Sequence, residues 1–425
     1  MEYGKRTGSQ PVLERFAGNP IIEPRPEQHW ESKATFNPGA IYEEGKVHIL
    51  YRAIGDTDVS VIGYASSSDG VHIDERLDFP AYLPREPFEG AVSHRSIVSY
   101  RESTYVSGGG GVGGCEDPRL TRLDDTVHMT YTAFDGYSLP RVALTSISRG
   151  NFLTNNWLWR RPVIISPPGI IDKNACIFPE KIDGKYVILH RIYPDILIDF
   201  LDDLNFDGET KWLEGKFKIS PRGSCWDSRK FGAGPPPIKT KEGWLLIYHG
   251  VGEQDPNRYK IGAMLFDLKD PTKILACSAK PILEPQAWYE NEGWKSGVVY
   301  PCGAVVVGDR LFVYYGGADK VVCVASAKLN EFLEQLIADR GPIPIVMSAT
   351  SERVAVRKVK AERGRQVQAY CLKCRTRRTM KNVRVVTTKN GRPAWQGVCS
   401  MCGAKMFRFR KKSELAESDI SMEYE

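Results

Sequence analysis

Short apolar segments separated by hairpin-type turns run through the first three quarters of the chain. In each unit an apolar stretch leads into a turn with Gly or Asp, and a second apolar stretch then ends in an aromatic or polar residue. The unit recurs at intervals of roughly 60 to 80 residues. Its five copies span residues 37–52, 117–132, 175–191, 232–249 and 300–316.

Every unit is followed by a further apolar segment, which predicts another strand in each repeat. These segments span residues 61–65, 141–146, 196–200, 261–266 and 321–325. Repeated hairpins of this kind are typical of propeller blades. Long amphipathic helices do not alternate with the strands, which argues against a doubly wound sheet. The pattern therefore predicts an all-β chain with a five-bladed β-propeller over about residues 10–327.

One amphipathic helix is predicted directly after the last blade. Leu329, Phe332, Leu333 and Leu336 have the spacing of one apolar helix face, and the Gly-Pro-Ile-Pro segment at 341–344 ends it. We expect this helix to pack on the outside of the propeller. The predicted domains are a catalytic propeller over residues 1–340, a linker over 341–365, and a small basic module with an acidic tail over 366–425.

The charge distribution supports this division. The formal net charge is +6, but residues 352–412 contain 19 Lys and Arg against two Glu, so the rest of the chain is acidic. Such an asymmetry indicates a basic appendage with a function of its own.

No segment predicts export or membrane insertion. Residues 1–12 are polar and lack the apolar core of a signal peptide, and the longest weakly polar run, 297–308, is too short to cross a bilayer. Ten cysteines without an export signal favour reduced thiols. We therefore expect a cytoplasmic protein without a membrane partner.

The C-terminal module carries the most specific motif in the chain, two Cys-x-x-Cys pairs separated by 24 residues. Apolar segments at 383–388 and 395–398 flank Lys389-Asn390-Gly391, which predicts a hairpin between the pairs. Four thiolates fit a closed, tetrahedral, structural Zn²⁺ site, and redox pairs are the less favoured interpretation. We expect no cofactor for catalysis. The predicted zinc ligands are Cys371, Cys374, Cys399 and Cys402.

A glycine-rich run precedes the most distinctive polar motif of the predicted propeller. Gly109, Gly111 and Gly114 satisfy the G-x-G-x-x-G pattern of dinucleotide-binding sites, but that pattern requires a helix directly behind it. Here the segment Glu-Asp-Pro-Arg at 116–119 follows and predicts a strand. We therefore reject dinucleotide binding and expect a mobile loop at the mouth of a pocket.

The innermost strands of a propeller converge on a central funnel, so polar residues at equivalent places in different blades meet there. Any one of them is readily explained as a structural polar group, but their recurrence at one blade position predicts a site. The recurring residues are Asn37, Arg52, Asp117, Arg119, Lys173, Asn174, Arg191, Lys230, His249 and Asp319.

Seven segments resemble glycoside hydrolase family 130 in content and order, and they cover nearly the whole predicted propeller. The resemblance implies a five-bladed propeller that cleaves β-mannosides with inversion, mostly by phosphorolysis that releases α-mannose 1-phosphate. The zinc module lies outside the usual family pattern. The segments are Asn-Pro-Gly-Ala at 37–40, Glu-Asp-Pro-Arg at 116–119, Phe-Pro-Glu-Lys at 178–181, Leu-His-Arg at 189–191, Gly-Ala-Gly-Pro-Pro at 232–236, Tyr-His-Gly at 248–250 and Gly-Gly-Ala-Asp at 316–319.

The resemblance also implies roles for the site residues. By its motif Asp117 would be the general acid, whose proton in that family reaches the glycosidic oxygen through the sugar's own 3-hydroxyl. Lys173 stands where the family has Arg, so it keeps the charge but loses the bidentate contact. The implied phosphate ligands are Lys173, Asn174, Arg191, Lys230 and His249, and the implied sugar contacts are Asn37, Arg52, Arg119 and Asp319.

The residues favour phosphorolysis over hydrolysis. An inverting β-mannoside hydrolase needs a second carboxylate to activate water. Phosphate is itself an anionic nucleophile, and the predicted cluster of basic side chains would hold it. The expected partners are therefore a manno-oligosaccharide and inorganic phosphate. The linkage, the acceptor sugar and the oligomeric state, including a homo-oligomer, are left open.

A second alternative is a non-catalytic propeller scaffold that binds nucleic acid through the zinc module. Its basic and aromatic residues are compatible with phosphate contacts, but no RNA-binding fingerprint is present, so nucleic acid is the disfavoured partner. The residues concerned are Arg375, Arg377, Arg378, Lys381, Phe407 and Phe409.

Overall fold

The computed structural model describes residues 11–90, 107–348, 368–387 and 393–409. The chain divides into two compact units, Met1–Thr350 and Ser351–Glu425. The first unit is the predicted five-bladed β-propeller, and the second is a small antiparallel sheet around the four-cysteine motif. Among the described residues, no helix is long and apolar enough to span a membrane.

The strands of the first unit follow one another blade by blade. A short strand, β1 (Glu14–Arg15), comes first. The first blade contains β2 (Ala34–Glu43), β3 (Lys46–Ile54), β4 (Val59–Ser67) and β5 (Glu75–Arg76); the second contains β6 (Gly113–Leu123), β7 (Thr126–Phe134), β8 (Arg141–Ser148) and β9 (Val163–Ile164). The third contains β10 (Lys173–Ile177), β11 (Tyr186–Ile192), β12 (Asp195–Leu201) and β13 (Phe217–Ile219). The fourth contains β14 (Lys230–Ala233), β15 (Ile238–Lys239), β16 (Trp244–Gly252), β17 (Asp255–Phe266) and β18 (Ile274–Cys277), and the fifth β19 (Val299–Val307), β20 (Arg310–Gly317) and β21 (Val321–Lys328).

Adjacent blades are held together by five apolar clusters, one at each interface between blades. Successive residues of one strand enter opposite clusters because strand side chains alternate. In β20, Val313 and Tyr315 face the fourth blade, whereas Phe312 and Tyr314 face the first. Both faces of the central strands are therefore buried, which explains why the sequence shows nearly continuous apolar runs.

The ring of blades is closed by the beginning of the chain. β1 pairs with β21 of the fifth blade, with Glu14 opposite Ser326 and Arg15 opposite Ala325. The first two blades are also joined directly, because β4 and β6 form a short parallel pair. Neither pairing was predicted, since two-residue segments carry no recognisable pattern.

The remaining elements lie around the propeller. The predicted amphipathic helix is confirmed as α2 (Leu329–Ala338), which buries Phe332, Leu333 and Leu336 in the cluster between the fourth and fifth blades. A shorter helix, α1 (Arg149–Leu153), follows β8, and 3₁₀ turns occupy Pro87–Glu89, Gly108–Gly110 and Trp288–Glu290.

Part of the predicted linker is structured. β22 (Val346–Ser348) adds to the edge of the third blade, where Val346 lies opposite Ile219 of β13. Residues 349–365 of that linker lie outside the described residues.

The second unit contains four strands in the order of the sequence: β23 (Gln368–Cys371), β24 (Thr376–Thr387), β25 (Pro393–Cys399) and β26 (Lys405–Phe409). They form one antiparallel sheet. Its small core contains Ala369, Met380 and Met406 beside Cys371 and Cys399. The turn predicted at 389–391 lies outside the described residues.

The innermost strands approach one another so closely that some positions accept only glycine. An ideal Cβ on Gly39 would lie 2.5 Å from the carbonyl oxygen of Pro118 in the neighbouring blade. We expect Gly39→Ala to lower the free energy of unfolding by about 1–3 kcal/mol, because the backbone must shift to relieve the overlap. Thermal and denaturant unfolding of the purified variant measures this.

Gly150→Ala is the matched control. Gly150 is exposed in α1 and its Cβ would meet no heavy atom within 4 Å, so we expect unchanged or slightly higher stability. Equal stability of the two variants would contradict the close approach of the inner strands.

Candidate active site

Bulges in the innermost strands aim polar side chains at the centre of the propeller. The pairing register shifts at Asn37 in β2, at Asp117 in β6 and at Asn174 in β10. At these positions the backbone has φ values of 48°, 53° and 58°, a left-handed conformation that Asn and Asp tolerate better than most residues. Three blades therefore use the same device to present a short polar side chain.

Asp117, the predicted general acid, is held by two neighbours from the first blade. Asn37 Nδ2 donates to Asp117 Oδ1 at 2.8 Å, and Arg52 Nη1 lies 3.4 Å from the same oxygen. All three side chains are at least nine-tenths buried. The structure thus brings together three of the predicted site residues.

Glu116 contacts the same arginine. Adjacent residues of a regular strand point to opposite faces, but Glu116 and Asp117 both reach Arg52. Arg52 Nη2 lies 3.4 Å from Glu116 Oε1, because the bulge after Glu116 breaks the alternation. Lys173, predicted to bind phosphate, lies 3.5 Å from Glu116 Oε2.

The glycine-rich run covers this ionic cluster. Arg52 Nη2 donates to Ser107 Oγ and to the carbonyl oxygen of Gly108, both at 2.9 Å, and Ser107 in turn donates to Glu116. Strand β6 begins at Gly113, where a dinucleotide site would need a helix. The strand predicted behind the glycines is confirmed, and the mobility expected of this segment stays a prediction.

Arg119, predicted to contact substrate, is engaged by main-chain oxygens. It donates from Nε to Gly234 at 2.8 Å, from Nη1 to Asp117 at 2.9 Å and from Nη2 to Ala233 at 3.4 Å. The guanidinium therefore ties the Asp117 bulge to the start of the fourth blade. Its contacts are those of a group that positions Asp117.

The third and fourth blades contribute a second group of polar side chains that are short of partners. Arg191 Nε and Nη1, Asn174 Oδ1 and His249 Nδ1 are buried and make no hydrogen bond within the described part of the chain. Asn174 Nδ2 donates to the hydroxyl of Tyr300 at 2.5 Å. Buried polar groups are normally hydrogen-bonded, so these atoms indicate a place for a polar ligand.

His249 is packed between aromatic rings and the main chain. Its ring centre lies 4.5 Å from that of Tyr300, and an ideal Cβ on Gly232 would lie 2.5 Å from both His249 Cε1 and Asn174 Oδ1. Burial, reinforced by the charges of Arg191 and Arg119, holds the pKa of His249 well below its usual range. The imidazole is therefore neutral at pH 7, with one N–H to donate.

Two neighbouring side chains, Tyr259 and Lys295, were not predicted from the sequence. Lys230 Nζ lies 5.3 Å and Lys295 Nζ 4.4 Å from the ring centre of Tyr259. Burial opposes ionisation of this tyrosine, but the two ammonium groups outweigh it and lower the pKa of Tyr259 to about 8. Tyr259 is on β17 and Lys295 precedes β19, so neither occupies the repeated blade position that served as the signal.

Asp319 lies in the turn after β20, near Lys295 and Arg52. Burial raises the pKa of its carboxyl to about 6, although Lys295 and Arg52 both act in the opposite direction. At pH 7 Asp319 is therefore mostly ionised and close to its titration range.

The four cysteines of the second unit form a compact cluster. Their Sγ atoms all lie within 4.8 Å of one another, with 3.4 Å between Cys371 and Cys402 and 3.9 Å between Cys374 and Cys399. Tetrahedral coordination at a Zn–S distance of about 2.3 Å requires sulfur separations of this size. The four side chains fit a metal ion, and none of the ten cysteines is in a disulfide.

Comparisons with known proteins match the two units separately. Residues 97–337 match the family model described as beta-1,4-mannooligosaccharide phosphorylase. Residues 370–409 match a domain of unknown function.

A curated 1,2-beta-oligomannan phosphorylase from Thermoanaerobacter sp. (strain X514) is 38% identical over 329 residues, which are 75% of this chain and 98% of that protein. The solved Beta-1,2-Mannobiose phosphorylase from Listeria innocua, in complex with beta-1,2-mannobiose, is 28% identical, with a TM-score of 0.59 over 77% of this chain and 99% of the other.

The match to a further solved structure has 27% identity and a TM-score of 0.60, and it covers 79% of this chain and 98% of the other chain. Its description states that the GH130 family of mannoside phosphorylases contains glycoside hydrolases that target beta-1,2 mannosidic linkages in Candida mannan. Family model, relatives and fold agree with the segments that suggested the family. The chain belongs to glycoside hydrolase family 130, the family of β-mannoside phosphorylases.

Proposed function

We propose that the chain cleaves β-1,2-mannosidic linkages of manno-oligosaccharides with inorganic phosphate and releases α-mannose 1-phosphate. The observation that carries the proposal is the group of buried, unpartnered polar atoms on Arg191, Asn174 and His249. A guanidinium donates charge-assisted hydrogen bonds to an oxyanion, and Nε and Nη1 of Arg191 both lack a partner among the described residues. Phosphate supplies the oxygen atoms that these donors need.

Lys230 and Lys173 add positive charge around this anion. Lys230 is on β14, next to the strand that carries His249, and Lys173 lies directly opposite Arg191 in the register of β10 and β11. Because Lys173 is paired with Glu116, we propose that it connects the bound phosphate with the carboxylates of Glu116 and Asp117. Lys230 is then the principal point charge on phosphate.

The reaction requires one proton donor and one nucleophile. A phosphate oxygen attacks the anomeric carbon, the bond from that carbon to the glycosidic oxygen breaks, and the departing oxygen takes a proton that originates on Asp117. The attack comes from the face opposite the leaving group, so the configuration inverts. Asn37 and Arg52 hold the Asp117 carboxyl in place for this transfer.

The sugar site is assigned to the blades that carry the acid. Asn37, Arg52 and Asp319 surround Asp117, and hydrogen-bonding carboxylates and amides are suitable partners for sugar hydroxyls. Arg119 acts indirectly, because its N–H groups are taken up by carbonyl oxygens that include that of Asp117.

Hydrolysis is the competing function, and related hydrolases exist in the family. It would require a carboxylate that activates water. Glu116 is occupied by Arg52, Lys173 and Ser107, which leaves Asp319 as the remaining candidate. The unpartnered donors around Arg191 favour phosphate over this arrangement.

The linkage is assigned from the relatives. The curated relative that is 38% identical acts on 1,2-beta-oligomannan, and the solved Listeria protein acts on beta-1,2-mannobiose, whereas the family model is described by a beta-1,4 activity. We therefore expect β-1,2-mannobiose with phosphate to yield mannose 1-phosphate faster than β-1,4-mannobiose does. Equal release of free mannose with and without phosphate would establish hydrolysis instead.

Replacement of Arg191 tests the phosphate site directly. We expect Arg191→Ala to raise the KM for phosphate by at least about tenfold, the loss of one charged hydrogen-bonding group, with a smaller effect on the KM for the sugar. Steady-state kinetics with each substrate varied in turn measures this. Arg160→Ala, an exposed arginine of the second blade, is the control, and a larger effect on the sugar than on phosphate would refute the assignment.

Asp117→Asn should reduce turnover by at least about a hundredfold, because general-acid catalysis contributes that much or more. The amide keeps the size of the side chain, so unfolding should be little affected. Asp124→Asn, in the exposed turn at the other end of the same hairpin, should have normal activity. Near-normal turnover of Asp117→Asn would exclude Asp117 as the acid.

The second unit is proposed to hold one structural Zn²⁺ on Cys371, Cys374, Cys399 and Cys402. Four thiolates leave no open coordination position for a substrate, so the ion takes no direct part in the proposed reaction. We propose that catalysis resides in the propeller, with the zinc module as a separate domain.

Metal analysis of the full-length protein should find about one zinc per chain. Cys374→Ser should lower the zinc content while phosphorolysis is retained, and Cys225→Ser, at a partly buried cysteine of the propeller, should leave zinc unchanged. Absence of zinc from protein purified without chelator would contradict this assignment.

A further inference from the structure

The sheet of the second unit has one face that the zinc site and the core do not use. Directly opposite residues of paired strands point to the same face. Cys399 lies opposite Met380, and Met406 opposite Gly397, so these side chains belong to the face with the small core. On the other face Gln396 is buried, and the remaining described side chains are half-buried or exposed. We call it the outer face.

Five described side chains define the outer face. Tyr370 lies opposite Arg377 in the pairing of β23 with β24. Lys381, Val398 and Lys405 form a row across β24, β25 and β26, and Phe407 is two residues beyond Lys405 on the same face. The defining residues are Tyr370, Arg377, Lys381, Lys405 and Phe407.

The outer face combines exposed aromatic rings with cations. Tyr370 is 56% and Phe407 52% exposed, and Lys405 Nζ lies 5.3 Å from the ring centre of Phe407. Solvent-exposed aromatic rings in so small a sheet contribute little to its core. Their placement beside cations is the arrangement on which nucleobases stack while phosphates are neutralised.

The charge of the unit points to a polyanion. Residues 368–409 contain ten Lys and Arg and no Asp or Glu, so the net charge stays strongly positive even when four thiolates and one Zn²⁺ are counted. The propeller, in contrast, belongs to the acidic remainder of the chain. Phosphorolysis of a neutral mannoside gives no reason for such an excess on a separate unit.

We propose that the outer face of the zinc module is a binding surface for single-stranded nucleic acid. The bases stack on Tyr370 and Phe407, and Arg377, Lys381 and Lys405 contact the phosphates. An acidic peptide would satisfy the cations but not the two rings, and a duplex would bury its base faces and offer the rings nothing to stack on. Binding of this kind is tolerant of sequence, which agrees with the absence of a sequence-specific fingerprint.

The test uses full-length, zinc-loaded protein and a labelled RNA or DNA strand of about 12 nucleotides, a typical site size for such surfaces. Fluorescence anisotropy should show saturable binding that weakens as salt rises from about 50 to 200 mM. The double variant Tyr370→Ala and Phe407→Ala should weaken binding by about tenfold or more. The double variant Arg377→Ala and Lys405→Ala should reduce the slope of log K against log salt by about 1.4.

A matched pair on the propeller serves as the control. Phe79, 53% exposed, and Lys241, at an exposed turn, are both replaced by Ala and should leave binding unchanged. Zinc content and phosphorolysis of all variants should equal those of the parent protein, so failure of this proposal is distinct from failure of the proposed activity.

Four results would overturn the proposal. One is the absence of saturable binding at the lower salt concentration. The second is an aromatic double variant that binds as well as the parent, and the third is displacement of the strand by polyglutamate as effectively as by unlabelled RNA, since either would reduce the surface to a general cation patch. The fourth is tighter binding of a duplex of equal length than of the single strand.

Discussion

A buried carboxylate in each blade, hydrogen-bonded to a side chain of the second strand, fixes the site. In every blade this side chain is a tyrosine or histidine that directly precedes a residue at the centre of the propeller. Those central residues are Arg52, Thr132, Arg191, His249 and Gly316. A buried carboxylate without a partner would destabilise the fold. Each pair therefore fixes the position of its strand relative to the centre of the propeller. The pairs are Tyr51 with Glu31, Tyr131 with Glu89, His190 with Asp172, Tyr248 with Asp227, and Tyr315 with Glu290.

The third blade departs from this pattern, because it has a histidine where the other blades have a tyrosine. His190 replaces the tyrosine and lies between two carboxylates, 2.8 Å from Asp172 and 3.1 Å from Asp199. Burial opposes the charged imidazolium, but Asp172 and Asp199 outweigh it and raise the pKa of His190 to about 10. The His190 imidazole is therefore charged. It connects β11, the strand of Arg191, with Asp172, the residue directly before β10. Asn174 lies on β10.

The sequence predicted the features that depend on repetition. Five blades followed from apolar strands that are buried on both faces, and the polar residues were found because they recur at one position per blade. Features that depend on local exceptions were missed. The bulge at Asp117 turns Glu116 toward Arg52 against strand alternation, and the contacts of Arg119 with carbonyl oxygens of the fourth blade connect residues far apart in the chain. Strands as short as β1 carry no periodicity, so the closure of the ring could not be predicted either.

The distribution of charge explains why the centre of the propeller needs an anion from outside. The carboxylates Glu116 and Asp117 share Arg52, and Lys173 completes that group. Across the centre, Arg191 has no carboxylate partner within the described residues. The imidazole of His249 is neutral, because burial and the neighbouring cations lower its pKa. An uncompensated buried guanidinium is costly, and it would be compensated by the substrate anion at the moment of reaction. The two halves of the site therefore differ in charge. One half is neutralised internally and carries Asp117, the proposed acid. The other half stays positive, so that in the proposed reaction the phosphate nucleophile supplies the missing negative charge.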